Sequence, residues 1–271
     1  MSSTPFSGWL PYFPLALFFA LGSAFGSFLN VCILRIPAGL SIIRPPSRCP
    51  RCLSPIRWWQ NIPILSYFLL RGRCGRCGKS ISWQYPMVET LTGLYFALSF
   101  GVFQEEPLRL GWILVLGFVC IALSGIDFMT LTLPDKIVFP FMALAFFFAP
   151  LNPWLGAGWR ERIWEMTLGF VVSGGTLWVI SWLGALFLKK EAMGGGDIKL
   201  LATLGAALGW ERALEGLFAG SVFGALVGGI LLASGRLKPN NMLPFGPFLC
   251  AGCLLAAFFF KTEPIHWLVA R

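Results

Sequence analysis

The chain has 271 residues, of which 56% are hydrophobic and only 12% are charged. A soluble globular domain carries about 25% charged residues, so this composition excludes an ordinary soluble protein and indicates a chain that crosses a membrane several times. The net charge of +9 would suit nucleic acid, but a basic loop between membrane spans is first a topology signal and a contact for anionic lipids. We therefore expect membrane lipids, and no nucleic acid, among the partners.

Eight apolar runs approach the length of roughly 17–25 residues that a helix needs to cross a bilayer. In chain order they cover about residues 10–33, 86–103, 109–127, 136–152, 164–188, 197–211, 213–234 and 244–261. The sixth run is short, which favours a tilted or partly buried helix. We predict an all-α polytopic membrane protein with about eight transmembrane helices, organised as a first helix (1–33), a cytoplasmic loop domain (34–85) and a transmembrane core (86–271).

The distribution of cations predicts the orientation of the chain. Nine of the 21 lysines and arginines lie between Arg35 and Lys79, and cytoplasmic loops of membrane proteins carry an excess of these residues. When the loop 34–85 is placed in the cytoplasm and the eight runs alternate, 15 cations lie on the cytoplasmic side and 6 on the other. This orientation places Asp127 and Asp197 at the cytoplasmic ends of their runs.

The basic loop contains two Cys-x-x-Cys pairs, Cys49/Cys52 and Cys74/Cys77. Each pair forms a tight turn that presents two thiolates, and two such turns supply the four sulfur ligands of a tetrahedral structural zinc site. Two disulfides or a redox pair are the alternatives, although the reducing cytoplasm disfavours disulfides. A loop of about 50 residues is too small for a sizeable core, so we expect the metal to supply the missing stability.

Two aspartates lie at the boundaries of apolar runs, where a carboxylate is costly to keep and usually has a task. Asp127 ends the third run, and Asp197 follows three glycines, Gly194, Gly195 and Gly196, which allow a close approach of the backbone. If the two carboxylates face each other, they do not both ionise easily and they titrate as a unit. The ionised member is then able to take a proton from water while the protonated member polarises a peptide carbonyl, as in an aspartic protease.

The plainer alternative is that each aspartate caps a helix or pairs with a lysine. Asp197 is able to cap the helix that starts beside it, with Lys199 close by. Asp135 suits such a role better, because it lies between Pro134 and Lys136 at a helix start, where a carboxylate interacts favourably with the helix dipole. A non-enzymatic ion-coupled transporter is a further alternative, but it would place its acids in mid-span rather than at the edge.

Taken together, the motifs resemble those of the bacterial type IV prepilin peptidases, a family of membrane aspartic proteases. The resemblance covers nearly the whole chain, and the ordered set is specific where a single Cys-x-x-Cys pair is not. The matching segments are 26–31, 47–52, 61–63, 74–77, 81–89, 126–135 and 194–199.

The resemblance implies a peptidase that cleaves the basic leader of type IV prepilins or type II secretion pseudopilins. Cleavage would occur at the cytoplasmic face of the inner membrane. Asp127 and Asp197 match the catalytic aspartates of the family, and Gly194 and Gly196 belong to the motif that supports them. Many relatives carry a second acid where this chain has Met129, so no essential role is expected at that position.

The resemblance also implies a second activity, N-methylation of the new N-terminus with S-adenosylmethionine as the methyl donor. The cysteine-bearing loop marks the long, bifunctional bacterial form of the family. Glu89 and Gly93 match positions tied to methylation. A peptidase without methyltransferase activity is the closest alternative.

Overall fold

The structure is a computed structural model that describes residues 12–188, 193–236 and 243–259. Within these ranges the regular elements are helices, two isolated β-bridges occur in the cysteine loop, and no strand forms. The prediction of an all-α protein is therefore confirmed. The first residues of the first predicted run and the last residues of the eighth lie outside the described residues.

Nine α-helices lie in the described residues, together with three short 3-10 turns at Trp58–Asn61, Ala149–Leu151 and Pro153–Leu155. The α-helices are α1 (Phe13–Arg35), α2 (Leu65–Leu69), α3 (Gln84–Phe103), α4 (Pro107–Thr130), α5 (Asp135–Phe147), α6 (Trp159–Leu188), α7 (Gly195–Leu208), α8 (Trp210–Ala233) and α9 (Gly246–Phe259).

All eight predicted runs form helices, but the count of eight spans is not confirmed. Among the helices of the described residues, five are long and apolar enough to cross a membrane, namely α1, α3, α4, α6 and α8. Within the described residues, α5 has 13 residues and α7 and α9 have 14 each. The run that contains α5 is cut short because Pro150 and Pro153 turn the chain into 3-10 geometry. The run that contains α7 ends at Gly209, whose φ of 88° reverses the chain directly into α8.

The chain folds as two compact units, residues 1–122 and 123–271. In the first unit, α1 packs lengthwise against α3. Glycines on α1 allow this close approach, because a Cβ at Gly22 would lie 2.6 Å from the Thr92 carbonyl oxygen of α3, and one at Gly26 would lie 2.7 Å from the Glu89 Cα. Small residues at such positions are typical of helix packing in membranes.

In the second unit, α7 is the central helix and contacts α5, α6, α8 and α9. Its residues 200–208 are all buried. Asn152 fixes one end of this arrangement, because its side-chain amide donates to the Ala207 carbonyl at 2.7 Å. The opposite end of α7 therefore holds Asp197 at a fixed position within the unit.

Candidate active site and metal centre

Asp127 lies in the last turn of α4 and is only 5% exposed. Its Oδ2 accepts a hydrogen bond of 3.0 Å from the backbone N–H of Gly246, the first residue of α9. The contact leaves no room for a side chain, because a Cβ at Gly246 would lie 2.8 Å from the same oxygen. The carboxylate is thus held against the amino end of a helix, which favours negative charge.

Asp197 lies in the first turn of α7. This helix is not one of those that are long enough to cross a membrane. Burial, and to a lesser extent the nearby charge of Asp127, raise the pKa of its carboxyl to about 6. Leu133 fills the space beside both helix starts, since its side chain lies 3.1 Å from a Cβ built at Gly196 and 3.2 Å from one built at Gly246. Leu133 therefore lies beside the helix start that carries Asp197 and beside the helix start whose N–H contacts Asp127.

The lysine that was considered as a partner for Asp197 lies elsewhere. Lys199 forms an ion pair with Asp135 at 2.8 Å, and both side chains are about half exposed. The residue that caps α7 is Gly194, so Asp197 is not its cap. Asp135 begins α5, as the sequence predicted, and this accounts for its carboxylate without a catalytic task.

The two Cys-x-x-Cys pairs fold into the same turn. In each, the N–H of the first cysteine donates to the carbonyl five residues ahead, at 2.9 Å in the first turn and 2.8 Å in the second. The carbonyl of that cysteine accepts a 2.9 Å bond from the residue four positions ahead in both turns. That residue has a left-handed backbone each time, with a φ of 56° at Leu53 and 69° at Gly78.

These turns bring four cysteine sulfurs together. All four lie within 4.8 Å of one another, and they belong to Cys49, Cys52, Cys74 and Cys77. The Cys49 and Cys77 sulfurs are 3.9 Å apart, near the roughly 3.8 Å expected for two thiolates on one tetrahedral zinc. Donor type, number and spacing therefore fit a structural zinc ion.

A cavity of about 410 Å³ lies beside these turns in the first unit. Glu89 of α3 lines it, is 7% exposed, and accepts a 2.7 Å hydrogen bond from the N–H of Ile64. Gly93, one turn further along α3, instead faces α1, where an added Cβ would meet the Ser23 hydroxyl and the Phe19 ring. The structure thus separates the two residues that the resemblance grouped together.

Comparison with known proteins divides the chain into two matching segments. Residues 20–103 match the family model of the bacterial peptidase A24 N-terminal domain, and residues 114–229 match that of the type IV leader peptidase family. No solved structure matches the chain.

Curated relatives named prepilin leader peptidase/N-methyltransferase match over most of the chain. The protein from Stutzerimonas stutzeri is 36% identical over 255 residues, which cover 84% of this chain and 85% of the relative. The Dickeya chrysanthemi protein is 34% identical over 278 residues (92% and 94%), and the Myxococcus xanthus protein is 40% identical over 242 residues (85% and 67%). The chain belongs to the type IV leader peptidase family. The resemblance drawn from its motifs, and the prediction of an enzyme, are confirmed.

Within this leader peptidase, Asp127 and Asp197 both fall in the segment that matches the leader peptidase model, while the cysteines and Glu89 fall in the N-terminal match. Sequence reasoning missed Gly246 and Leu133 as neighbours of the aspartates. The run Pro244-Phe245-Gly246-Pro247 signals a helix start, but only packing of distant helices shows which carboxylate that start contacts.

Proposed function

We propose that this chain is an intramembrane aspartic endopeptidase that removes the basic leader of type IV prepilins and type II secretion pseudopilins, and then methylates the new N-terminus. The observation that carries the proposal is the coupled pair of Asp127 and Asp197. Asp127 is buried and Asp197 is half-buried, they come from different helices, and they share the segment that matches the leader peptidase family. The nine cations between Arg35 and Lys79 favour a cytoplasmic position for that segment, and we propose that cleavage occurs at the same face of the inner membrane.

The contacts of the two aspartates differ, and this suggests a division of labour. Asp127 accepts the N–H of Gly246 at the start of α9, so its ionised form is stabilised by a hydrogen bond and by the helix dipole. Asp197 is half-buried beside that negative charge, and both effects raise the pKa of its carboxyl, so we propose that it holds the shared proton. We therefore assign the general base to Asp127 and the general acid to Asp197.

In the proposed reaction, Asp127 takes a proton from a water molecule, and the water oxygen attacks the carbonyl carbon of the scissile peptide bond. Asp197 donates its proton toward the carbonyl oxygen, which stabilises the tetrahedral intermediate. The intermediate collapses when the proton on Asp127 passes to the leaving nitrogen and the carbon–nitrogen bond breaks. The new carboxyl group then returns a proton to the pair, which restores the starting state.

The four cysteines would hold a zinc ion. Its role would be structural, because a site with four sulfur ligands leaves no position for a reacting water. S-adenosylmethionine supplies an electrophilic methyl group when it is bound. The nine-cation segment between Arg35 and Lys79 is unsuited to a basic leader, and we propose that it contacts anionic lipid headgroups.

The test is incubation of the purified, full-length protein with a prepilin and S-adenosylmethionine, read by intact mass. Asp127→Asn and Asp197→Asn should each lower the cleavage rate by about a hundredfold to ten-thousandfold, the usual contribution of a positioned acid or base. Asp135→Asn is the matched control and should cleave nearly normally, because exposed ion pairs contribute little. Full cleavage by either of the first two variants would refute the mechanism.

The same experiment separates the alternatives. A cleaved product without a methyl group would identify a peptidase that lacks the second activity. A protein that leaves the prepilin intact but carries ions across liposome membranes would be a transporter instead.

A further inference from the structure

The cysteine loop and the start of α3 expose an apolar surface that the proposed reactions leave unexplained. Five large side chains form it, and each of them is between 59% and 75% exposed. Apolar side chains that are exposed singly are normal, whereas a contiguous group of large ones marks a contact with a partner or a membrane. We call this group the α2 patch, and it consists of Leu65, Phe68, Leu69, Trp83 and Met87.

The residues that α2 contributes to the patch share one face of the helix. Leu65, Phe68 and Leu69 are spaced i, i+3 and i+4, so their side chains project on the same side. Ser66 and Tyr67, which lie between them in the sequence, instead line the cavity beside the zinc turns. One face of α2 therefore packs against the loop, and the other presents apolar side chains outward.

The patch continues onto an exposed face of α3. The Phe68 ring meets the Trp83 ring edge to face, with centroids 6.4 Å apart, and Trp83 directly precedes α3. Along α3 the exposed residues Met87, Leu91 and Leu94 follow at the spacing of one helix face. Because α3 is long and apolar enough to cross a membrane, we expect this face to lie against lipid. The α2 patch extends the same surface past the start of the helix.

The charge around the patch fits an anionic membrane surface. Arg71 and Arg73 follow α2 and are exposed, and no acidic residue precedes Glu89 in the chain. Basic side chains reach from an apolar surface to the headgroups of anionic lipids. A tryptophan at the start of a membrane span, such as Trp83, is typical of the boundary between lipid and water.

We infer that the α2 patch holds the cysteine loop on an anionic membrane surface. The apolar side chains of α2 lie at the boundary between headgroups and acyl chains, and Arg71 and Arg73 contact the headgroups. The inference rests on the lipid contact proposed for the nine-cation segment and names the surface that makes it. A protein is the less suitable partner, because the patch continues a face of α3 that is exposed along a membrane span.

The first experiment replaces Phe68 or Leu69 with the photoreactive residue p-benzoylphenylalanine in the full-length, zinc-loaded protein in lipid nanodiscs. Irradiation should attach phospholipid at both positions, which mass spectrometry of the digested protein detects. The same replacement of Leu53, an exposed leucine of the first zinc turn outside the patch, is the control. It should attach about tenfold less lipid, the ratio that burial of one large apolar side chain gives. Equal yields at the three positions, or attachment of Phe68 to a second copy of the chain, would overturn the inference.

The second experiment separates the apolar and charged parts of the surface, with the photoreactive residue at Leu65. Phe68→Ser/Leu69→Ser should lower lipid attachment by about tenfold or more in discs of phosphatidylcholine. Arg71→Gln/Arg73→Gln should lower it by about fivefold or more, but only in discs that contain phosphatidylglycerol. Leu53→Ser is the matched control and should leave attachment unchanged. Zinc content, which reports the folding of the loop, should stay normal in all of these variants.

Unchanged attachment by Phe68→Ser/Leu69→Ser would overturn the patch as the surface of contact. If the unaltered protein attaches lipid equally with and without phosphatidylglycerol, the proposed contact of the cationic segment with anionic headgroups fails, and the charged part of the inference fails with it. Prepilin cleavage, measured by intact mass on the same samples, tests the proposed peptidase independently of both results.

Discussion

The two polar sites of this molecule are assembled in opposite ways. The cysteine centre of the first unit comes from two copies of one local turn, whose outermost cysteines are only 28 positions apart in the chain. The aspartate site of the second unit comes from the ends of α4, α7 and α9, and its hydrogen bond between Asp127 and Gly246 joins residues 119 positions apart. Local backbone geometry defines the first site, and helix packing defines the second.

The difference determines how each site should respond to substitution. A site made by local turns depends on its own ligands and its metal, and it fails when one ligand is lost. A site made by packed helices depends on clearances between backbones, so glycines that carry no chemistry become as important as the acids. Each variant below tests one side of this comparison.

The largest effect is expected from removal of a zinc ligand. Cys49→Ser should abolish zinc binding and expose the loop to proteases, because zinc contributes about 10–16 kcal/mol to the folding of small zinc-dependent domains. Cleavage should fall less than zinc binding, since Cys49 lies outside the segment that holds the two aspartates. Metal analysis and limited proteolysis measure the outcome. Cys32→Ser, at a buried cysteine of α1, is the control, and a metal-free protein with a protease-resistant loop would contradict the prediction.

Gly246→Ala tests the packed site. The added Cβ would lie 2.8 Å from Asp127 Oδ2, and the shift needed to relieve such overpacking costs about 1–3 kcal/mol. We expect kcat for cleavage to fall by about tenfold to a hundredfold, with KM little changed. Gly229→Ala is the control, because a Cβ there meets nothing within 4 Å. Normal cleavage by Gly246→Ala would show that Asp127 does not depend on this clearance.

Gly93→Ala asks whether a residue linked to methylation acts directly or through packing. Its Cβ would collide with Ser23 and Phe19 of α1, so we expect a loss of about 1–3 kcal/mol in stability and a decline in both activities together. Thermal unfolding in detergent and the intact-mass assay report the two effects. Gly101→Ala, where the nearest atom would be 3.6 Å away, should be tolerated. Loss of methylation alone at unchanged stability would indicate a direct role.

The smallest expected effect on stability tests whether the turns of the two Cys-x-x-Cys pairs are equivalent. Leu53 and Gly78 occupy the same left-handed position, which costs a non-glycine residue roughly 1–2 kcal/mol, partly offset by the greater flexibility of glycine in the unfolded chain. Leu53→Gly should therefore stabilise the loop by about 0.5–1 kcal/mol, and Gly78→Leu should destabilise it. The chelator concentration that releases half of the zinc measures both. Equal values for both variants would mean that the turns are not equivalent.

The parts that the sequence predicted and the parts that it missed follow the same division. The spacing of the cysteines was enough to predict the cluster of four sulfurs, since each cysteine pair is fixed by a turn of a few residues. The apolar runs predicted each of the long helices. The three glycines before Asp197 identified that residue as a candidate for the site. The shortness of α5 and α7 depended on Pro150 and Gly209, whose effect as breaks inside apolar runs was underestimated.

Two individual contacts between helices were not predicted from the sequence. Gly246 lies among prolines at a helix start, and nothing local indicates that its N–H reaches Asp127. The ion pair of Lys199 with Asp135 was likewise hidden, because Lys199 lies much nearer to Asp197 along the chain. Both contacts depend on the way in which α7 is surrounded by its neighbours.

The shortness of α7 has a consequence for the supply of water. Its 14 residues extend about 21 Å, against a hydrocarbon layer of about 30 Å. Backbone that is not helical persists at membrane depth only where protein buries it or where it borders water. We expect the end of α7 that carries Asp197 to border water rather than lipid, and this contact to supply the water that attacks the peptide bond.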